Sequence, residues 1–256
     1  MTVRRMFLSM TSLADSTHHA EYNAWHQLDH LPENLLQPGV VWGDRWVCTP
    51  DCAPYVVGRD RGAGHQYAIM YWFRAPVEES VARWTELNQT AVWWGRRPEL
   101  DWTRRAPVGF FAPVKSYAAA SALVAPDAIP LRPHRGVHLT ISRLLDPGSS
   151  AAVMHMSDYD RARLPNLLAL PGVAGAATYS FHSSAQGFGS AEIDDTDRGL
   201  LIRLLHLDGD PVETTERVLS VDPGWTSDTE QEQVLWAAPL RSITPHAWDW
   251  FAGTAT

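Results

Sequence analysis

Short apolar runs alternate with longer amphipathic stretches along this chain of 256 residues, and the alternation occurs twice in the same order. Residues 4–10 form a short apolar run that predicts a strand. The stretch 21–36 predicts a helix, because Ala24, Leu28, Leu31 and Leu35 fall on one face at 3.6-residue spacing. Asp15 or Ser16 supplies an N-cap, and Pro38-Gly39 stops the helix and turns the chain. Residues 40–48 and 66–74 are rich in β-branched and aromatic side chains, as strands are. Pro76 opens a second helix running to about residue 89, and 108–116 closes the unit as a last strand. The same β-α-β-β-α-β order returns at 137–143, 157–169, 173–181, 199–207, 211–220 and 233–242.

The second pass is a copy of the first. LPENLLQPGVVWGDRWVC at 31–48 lies on LPNLLALPGVAGAATYSF at 164–181 without a gap, at an offset of 133. The same offset sets 6–10 on 139–143 and 67–73 on 200–206. Residues 76–80 meet 211–215 at 135, and 111–117 meet 236–243 with one insertion. The expected division is therefore a first repeat at 1–117, an Ala/Pro linker at 118–134 and a second repeat at 135–256. Loops at 49–65 and 182–198 are long, polar and glycine-containing, and are candidate lids. A βαββαβ unit makes an antiparallel sheet with both helices on one face and leaves the other face to be covered. Two such sheets in one chain can cover each other, so the expectation is an α+β barrel completed within the chain.

Composition narrows the partners. Lys+Arg 21 against Asp+Glu 29 gives a net charge of −8, which excludes a broad phosphate-binding surface and argues against nucleic acid. No apolar run approaches the roughly 18 residues of a spanning helix, so no membrane is expected. The opening segment reads as a first strand rather than a signal peptide, and Cys48 and Cys52 as two free thiols; a cytoplasmic location is expected by default. Twelve tryptophans are present, eight of them before residue 103, enough for either a bulky core or an aromatic-walled pocket.

On the first helix Tyr22, His26, Asp29 and Glu33 cluster at spacings of three, four and seven, with Trp25 and His30 at the margins. Two imidazoles beside carboxylates can move protons near neutral pH. The alternative is a solvated face opposite the leucines. At an offset of 133 the second copy replaces His26, Asp29 and His30 by Tyr159, Ala162 and Arg163, which points to one working site per chain. HQLDH has no evident third metal ligand, and no metal is expected. Trp42, Asp44 and Trp46 alternate on one face of the second strand, and WWGRRPELDWTRR at 93–105 reads as either a salt-bridged loop or an arginine clamp for a carboxylated or phenolic ligand. No glycine-rich phosphate loop, nucleophile elbow or dinucleotide fingerprint occurs, so no cofactor is called for.

The run EYNAWHQLDHLPENLLQPGVVWGDRWV resembles the first-helix and second-strand signature of the dimeric α+β barrel superfamily, whose units are ferredoxin-like. It is most similar to the EthD-like and antibiotic-biosynthesis-monooxygenase-like branches, with Asp29, His30, Leu31, Pro32 and Glu33 before the Pro-Gly turn. The resemblance implies a fused pair of units with His30 at the mouth of a cavity between helices and sheet. It further implies cofactor-independent isomerisation, cyclisation or oxygenation of a small aromatic, lactone or polyketide-like compound. The resemblance makes His30 the general acid or base; the helix spacing, not the resemblance, adds His26 to assist it and Asp29 to orient an imidazole. Tyr22, Trp25, Trp42, Trp46 and Trp72 are the expected substrate wall. The alternatives are a non-catalytic protein that binds a hydrophobic ligand, or a haem-binding relative ligated through His30 or His26. A homodimer through other surfaces is compatible with each.

Overall fold

The computed structural model describes residues 3–58, 64–98, 101–185 and 198–251. The first half runs β1 (Arg5–Leu13), α1 (His19–Trp25), a π-turn (His26–His30), α2 (Leu31–Leu35), β2 (Val40–Val47), the short β3 (Val57–Gly58), β4 (Tyr67–Phe73), α3 (Val77–Trp93) and β5 (Thr103–Ala118). The second half repeats it as β6 (Gly136–Leu144), α4 (Ser150–Asp158), a π-turn (Tyr159–Arg163), α5 (Leu164–Leu168), β7 (Val173–Ser184), β8 (Leu200–Leu207), α6 (Pro211–Val221) and β9 (Glu232–Ser242). The strands join in the order β2-β4-β1-β5-β7-β8-β6-β9, and a pairing of β2 with β9 closes the ring. One seam is long, with Gly109–Ala118 of β5 against Gly175–Ser184 of β7. The other is the two pairs Trp46 with Ser242 and Val47 with Arg241.

Strand alternation divides the side chains between the barrel interior and the helix-covered outer face of each half. Ala68, Met70 and Trp72 of β4 point into the barrel with Met6, Leu8 and Met10 of β1, and Ala177, Tyr179 and Phe181 of β7 meet them from the other half. Trp72 Nε1 donates to Tyr179 Oη at 3.0 Å across that interior. The intervening residues Tyr67, Ile69, Tyr71 and Phe73 face outward and pack under the helices. Each half thus covers the open sheet face of the other, and the barrel is complete within one chain.

The internal repeat is present, with a correction to its register. The offset of 133 holds from the π-turn to β2: Gly39 and Gly172 share a left-handed φ of 93° and 94°. In β1 and β4 it does not hold. Arg4 N–H bonds Phe73 O in the first half, and Arg135 N–H bonds Leu207 O in the second, so the true offsets are 131 and 134. An offset of 133 across 67–73 is a one-residue slip, which places every side chain on the wrong face. Ile69, not Met70, is the counterpart of Arg203. The first predicted lid partly pairs with β9 through β3; its tip at 59–63 and most of the second, at 186–197, lie outside the described residues.

Candidate functional site

The predicted first helix is three pieces rather than one. Pro32 has no N–H for the carbonyl four residues back, and its ring crowds that carbonyl. The chain widens into a π-turn immediately before it, with Leu31 N–H bonding His26 O. The second copy does the same before Pro165, with Leu164 N–H bonding Tyr159 O. The extra residue resets the phase of the helix. Leu28 is 52% exposed, so it drops out of the expected Ala24/Leu28/Leu31/Leu35 core face, of which Leu31 and Leu35 still pack. Tyr22, Asn23, His26 and Asn34 are buried against the sheet as well. The polar and aromatic face points inward.

What draws it inward is Arg45 on β2, which is 1% exposed. Its guanidinium donates to Asn23 Oδ1 at 3.0 Å and Gln27 Oε1 at 3.4 Å, and lies 5.1 Å from the Tyr22 ring and 5.6 Å from the Tyr67 ring. Neutral acceptors and two aromatic faces hold this buried cation. Tyr67 Oη also bonds Asn23 Nδ2 and His19 Nδ1.

Beside this network lies a cavity between the helices and the outer face of the sheet. Its polar lining comes from Ser9, Thr11, Tyr22, His26, His30, Tyr71, Asn88, Arg97 and Arg105, and among the described residues no Asp or Glu lines it. The enclosed space is about 30 Å3, and about 400 Å3 with its open mouth. Trp25 stacks on His30 at 4.7 Å, His30 meets His26 edge-on at 4.9 Å, and Tyr22 meets His26 edge-on at 5.7 Å. Thr11 Oγ1, His26 Nδ1 and Tyr71 Oη are buried here without a hydrogen-bond partner among the described residues. Such atoms are rare in folded proteins, and three around one cavity mark a place built to meet something polar.

Both imidazoles are neutral. Burial, reinforced by Arg105, Arg97, Arg45 and Arg96, pushes His30 down to about 3. Burial, then Arg45 and His30, holds His26 well below the ordinary histidine range. Arg97 is itself lowered to about 10, first by burial and then by Arg105.

The expected wall and acid are placed differently. Tyr22, Trp25, His26 and His30 do come together. Trp46 and Trp72 point into the barrel and Trp42 packs beside them, on the opposite side of the sheet from the histidines. Trp84 of α3, Tyr71 of β4 and Phe7 of β1 take their places. Asp44 shares the barrel-facing side, and burial pushes it up to about 6. Asp29 orients no imidazole. It accepts from Arg96 at 3.0 Å, and Glu33 takes the same guanidinium in a two-pronged pair. Those carboxylates pin the turn after α3, where the N–H groups of Arg96 and Arg97 both reach Ala91 O. The pinned turn delivers Arg97 to the cavity. The arginines of 93–105 stand out in the sequence; the only signal for Arg45 and Tyr71 is the strand alternation that puts both under the helix.

The corresponding space in the second half is filled. Tyr159 stands at the His26 position and stacks on Trp225 at 5.7 Å. Arg163, at the His30 position, donates to Asp222 at 2.6 Å. Arg203 lies 4.4 Å from the Tyr159 ring and pairs with Glu232, which also meets His155 Nε2 at 2.7 Å.

No family model matches the sequence, and no curated protein matches it. Solved structures resemble the fold. A protein designated a monooxygenase from Fusobacterium nucleatum superposes with a TM-score of 0.53 at 5% identity, covering 95% of this chain and 94% of its own. A DypB variant from Rhodococcus jostii RHA1, in complex with haem, superposes with a TM-score of 0.51 at 7% identity, covering 94% of each chain. The chain has the fold of the dimeric α+β barrel superfamily, with both barrel halves in one polypeptide. Among the described residues no helix is long and apolar enough to cross a membrane. Haem does not fit the histidine cavity: the enclosed space admits about one water-sized group, Trp25 covers a face of His30, and His30 packs against His26.

Proposed function

We propose that this chain is a cofactor-independent enzyme that removes a proton from a small, enolisable aromatic, lactone or polyketide-like compound, with His30 as the base. The observation that carries this reading is the set of three unpartnered buried polar atoms on Thr11, His26 and Tyr71, gathered beside two neutral imidazoles. A neutral imidazole accepts a proton; a protonated one does not. The C–H proton passes to His30, and the electron pair is delocalised onto the substrate oxygen. Tyr71 Oη can donate to that oxygen, and the Arg97 charge favours it. The water-sized depth of the cavity suits an oxygen atom, while the ring stays in the mouth beside Trp25. His26 adds a second neutral ring to the lining. The resulting carbanion is a shared first intermediate of isomerisation, cyclisation and oxygenation without a cofactor.

The test is solvent exchange. Anthrones, 1,3-diketones and α-aryl lactones are incubated with the protein in D2O, and deuterium incorporation at the acidic carbon is followed by NMR. The wild type should accelerate exchange of at least one class, and His30→Gln should lower that acceleration by about 10²–10⁴-fold. Absence of catalysed exchange in every class, or an unchanged rate in His30→Gln, would overturn the reading. A Soret band in the purified protein would favour the haem alternative at a different site.

A further inference from the structure

We propose that the substrate enters this cavity as an anion, carrying a carboxylate or an ionised phenol, with Arg97 as its counter-ion. This rests on the reading of the histidine cavity as the working site, and it adds the charge class of what the site takes.

The geometry is one-sided. Arg97 lines the cavity and has no carboxylate partner among the described residues. Its neighbour Arg96 engages both Asp29 and Glu33, so those carboxylates are held by Arg96 and not by Arg97. Arg45 adds a second buried cation behind Tyr22, satisfied by amide oxygens and ring faces rather than by a carboxylate. Arg105 also lines the cavity, and Ser9, Thr11, Tyr71 and Asn88 are neutral, so among the described residues the lining offers cations and neutral groups but no acid. A guanidinium that is partly desolvated and lacks an internal acid interacts far more strongly with an anion than with a neutral group of the same shape. Trp25 supplies an aromatic wall at the same place, which favours an aryl carboxylate or phenolate over a small inorganic anion. The low His30 value agrees with a positive field that a bound anion would cancel.

The contrast with the second half supports the assignment. There the cations around the filled space, which stand at other positions of the repeat, are internally paired, Arg163 with Asp222 and Arg203 with Glu232. Where the space is filled, the charges are satisfied; where it is open, one is left for a ligand.

The experiment compares 2-naphthoate with 2-naphthamide on the full-length chain, reading tryptophan fluorescence and the histidine NMR resonances. Naphthoate should bind at least about tenfold more tightly than the amide in wild type. Arg97→Gln should remove that preference while leaving amide binding unchanged, and Arg97→Lys should keep part of it. Equal affinities for acid and amide in wild type, or no naphthoate binding, would overturn the proposal without needing a variant. So would an Arg97→Gln protein that weakens acid and amide alike. His30→Gln separates the two readings, because naphthoate binding should survive in it even though catalysed exchange is lost. Acid selectivity without wild-type exchange would sink the catalytic reading alone, and exchange without acid selectivity would sink this one alone.

Discussion

At His30, burial and four surrounding guanidinium groups act in the same direction, each opposing the charged imidazolium. The consequence is a base that stays in its working form far into acid. An ordinary histidine base loses activity as pH falls through about 6.5. With His30 pushed down to about 3, the free protein keeps the neutral ring throughout pH 5–8. The rate of exchange at low substrate, which reports the free enzyme, should therefore be flat across that range. A bound anion cancels part of the positive field and raises the imidazole value. The limb at saturating substrate should then lie at higher pH than the limb at low substrate. A limb near pH 6.5 at low substrate would show that His30 is not the base or that its surroundings are solvated.

The first helix shows how one inserted residue changes what an element presents. With 3.6 residues per turn throughout, Leu28 belongs to the core stripe; with the π-turn it is exposed, and His26 takes the inward position. The sequence carried the tandem repeat, the strand alternation and the His-x-Pro-Glu segment plainly, because those depend on local spacing. It did not disclose the helix phase, since a leucine stripe and a Tyr/His stripe were both available and only Pro32 hinted at the break. The tryptophans mislead for a related reason: their number in the first half says nothing about side, whereas the strand parity of Trp42, Trp46 and Trp72 sends them into the barrel. Helical spacing alone sets Asp29 beside an imidazole; its real partner, Arg96, comes from the turn after α3, which local spacing does not reveal. That turn is testable as an element. Replacing Asp29 by Asn together with Glu33 by Gln releases Arg96. Exposed ion pairs contribute little to stability, so the melting temperature should move by only a few degrees. Arg97 loses its support, and naphthoate affinity should fall about tenfold with amide affinity unchanged. Full retention of acid binding would mean that Ala91 O alone fixes the turn.

At the scale of the whole chain, two copies share one barrel interior but divide their outer layers differently, and this sets how the fold responds to acid. His19, His26, His30, His138 and His206 all have lowered values, with burial the leading cause in each; His19 and His138 fall to about 4. They sit in both halves and in the cavity alike. For a histidine whose folded value is depressed, the unfolded chain binds the proton first. Stability is therefore intact above the unfolded value of about 6.5 and falls as pH drops toward the folded value, at up to about 1.4 kcal/mol per pH unit for each group. Asp44, raised to about 6, works in the opposite sense, gaining stability between its folded value and the usual carboxylate range. It opposes these five and His182, whose value is also lowered, first by burial. Because the halves cover each other's sheet faces, neither can open alone without exposing Trp72 and Tyr179, so loss in either half should appear as one transition. Thermal melts at constant ionic strength should show a single step whose midpoint is level from pH 8 to 7 and falls steeply from pH 6.5 to 5. That fall precedes the range where surface carboxylates protonate. A midpoint unchanged down to pH 5 would mean that these histidines are hydrated in the folded protein. Two separate steps would mean that the halves do not depend on each other for their cores.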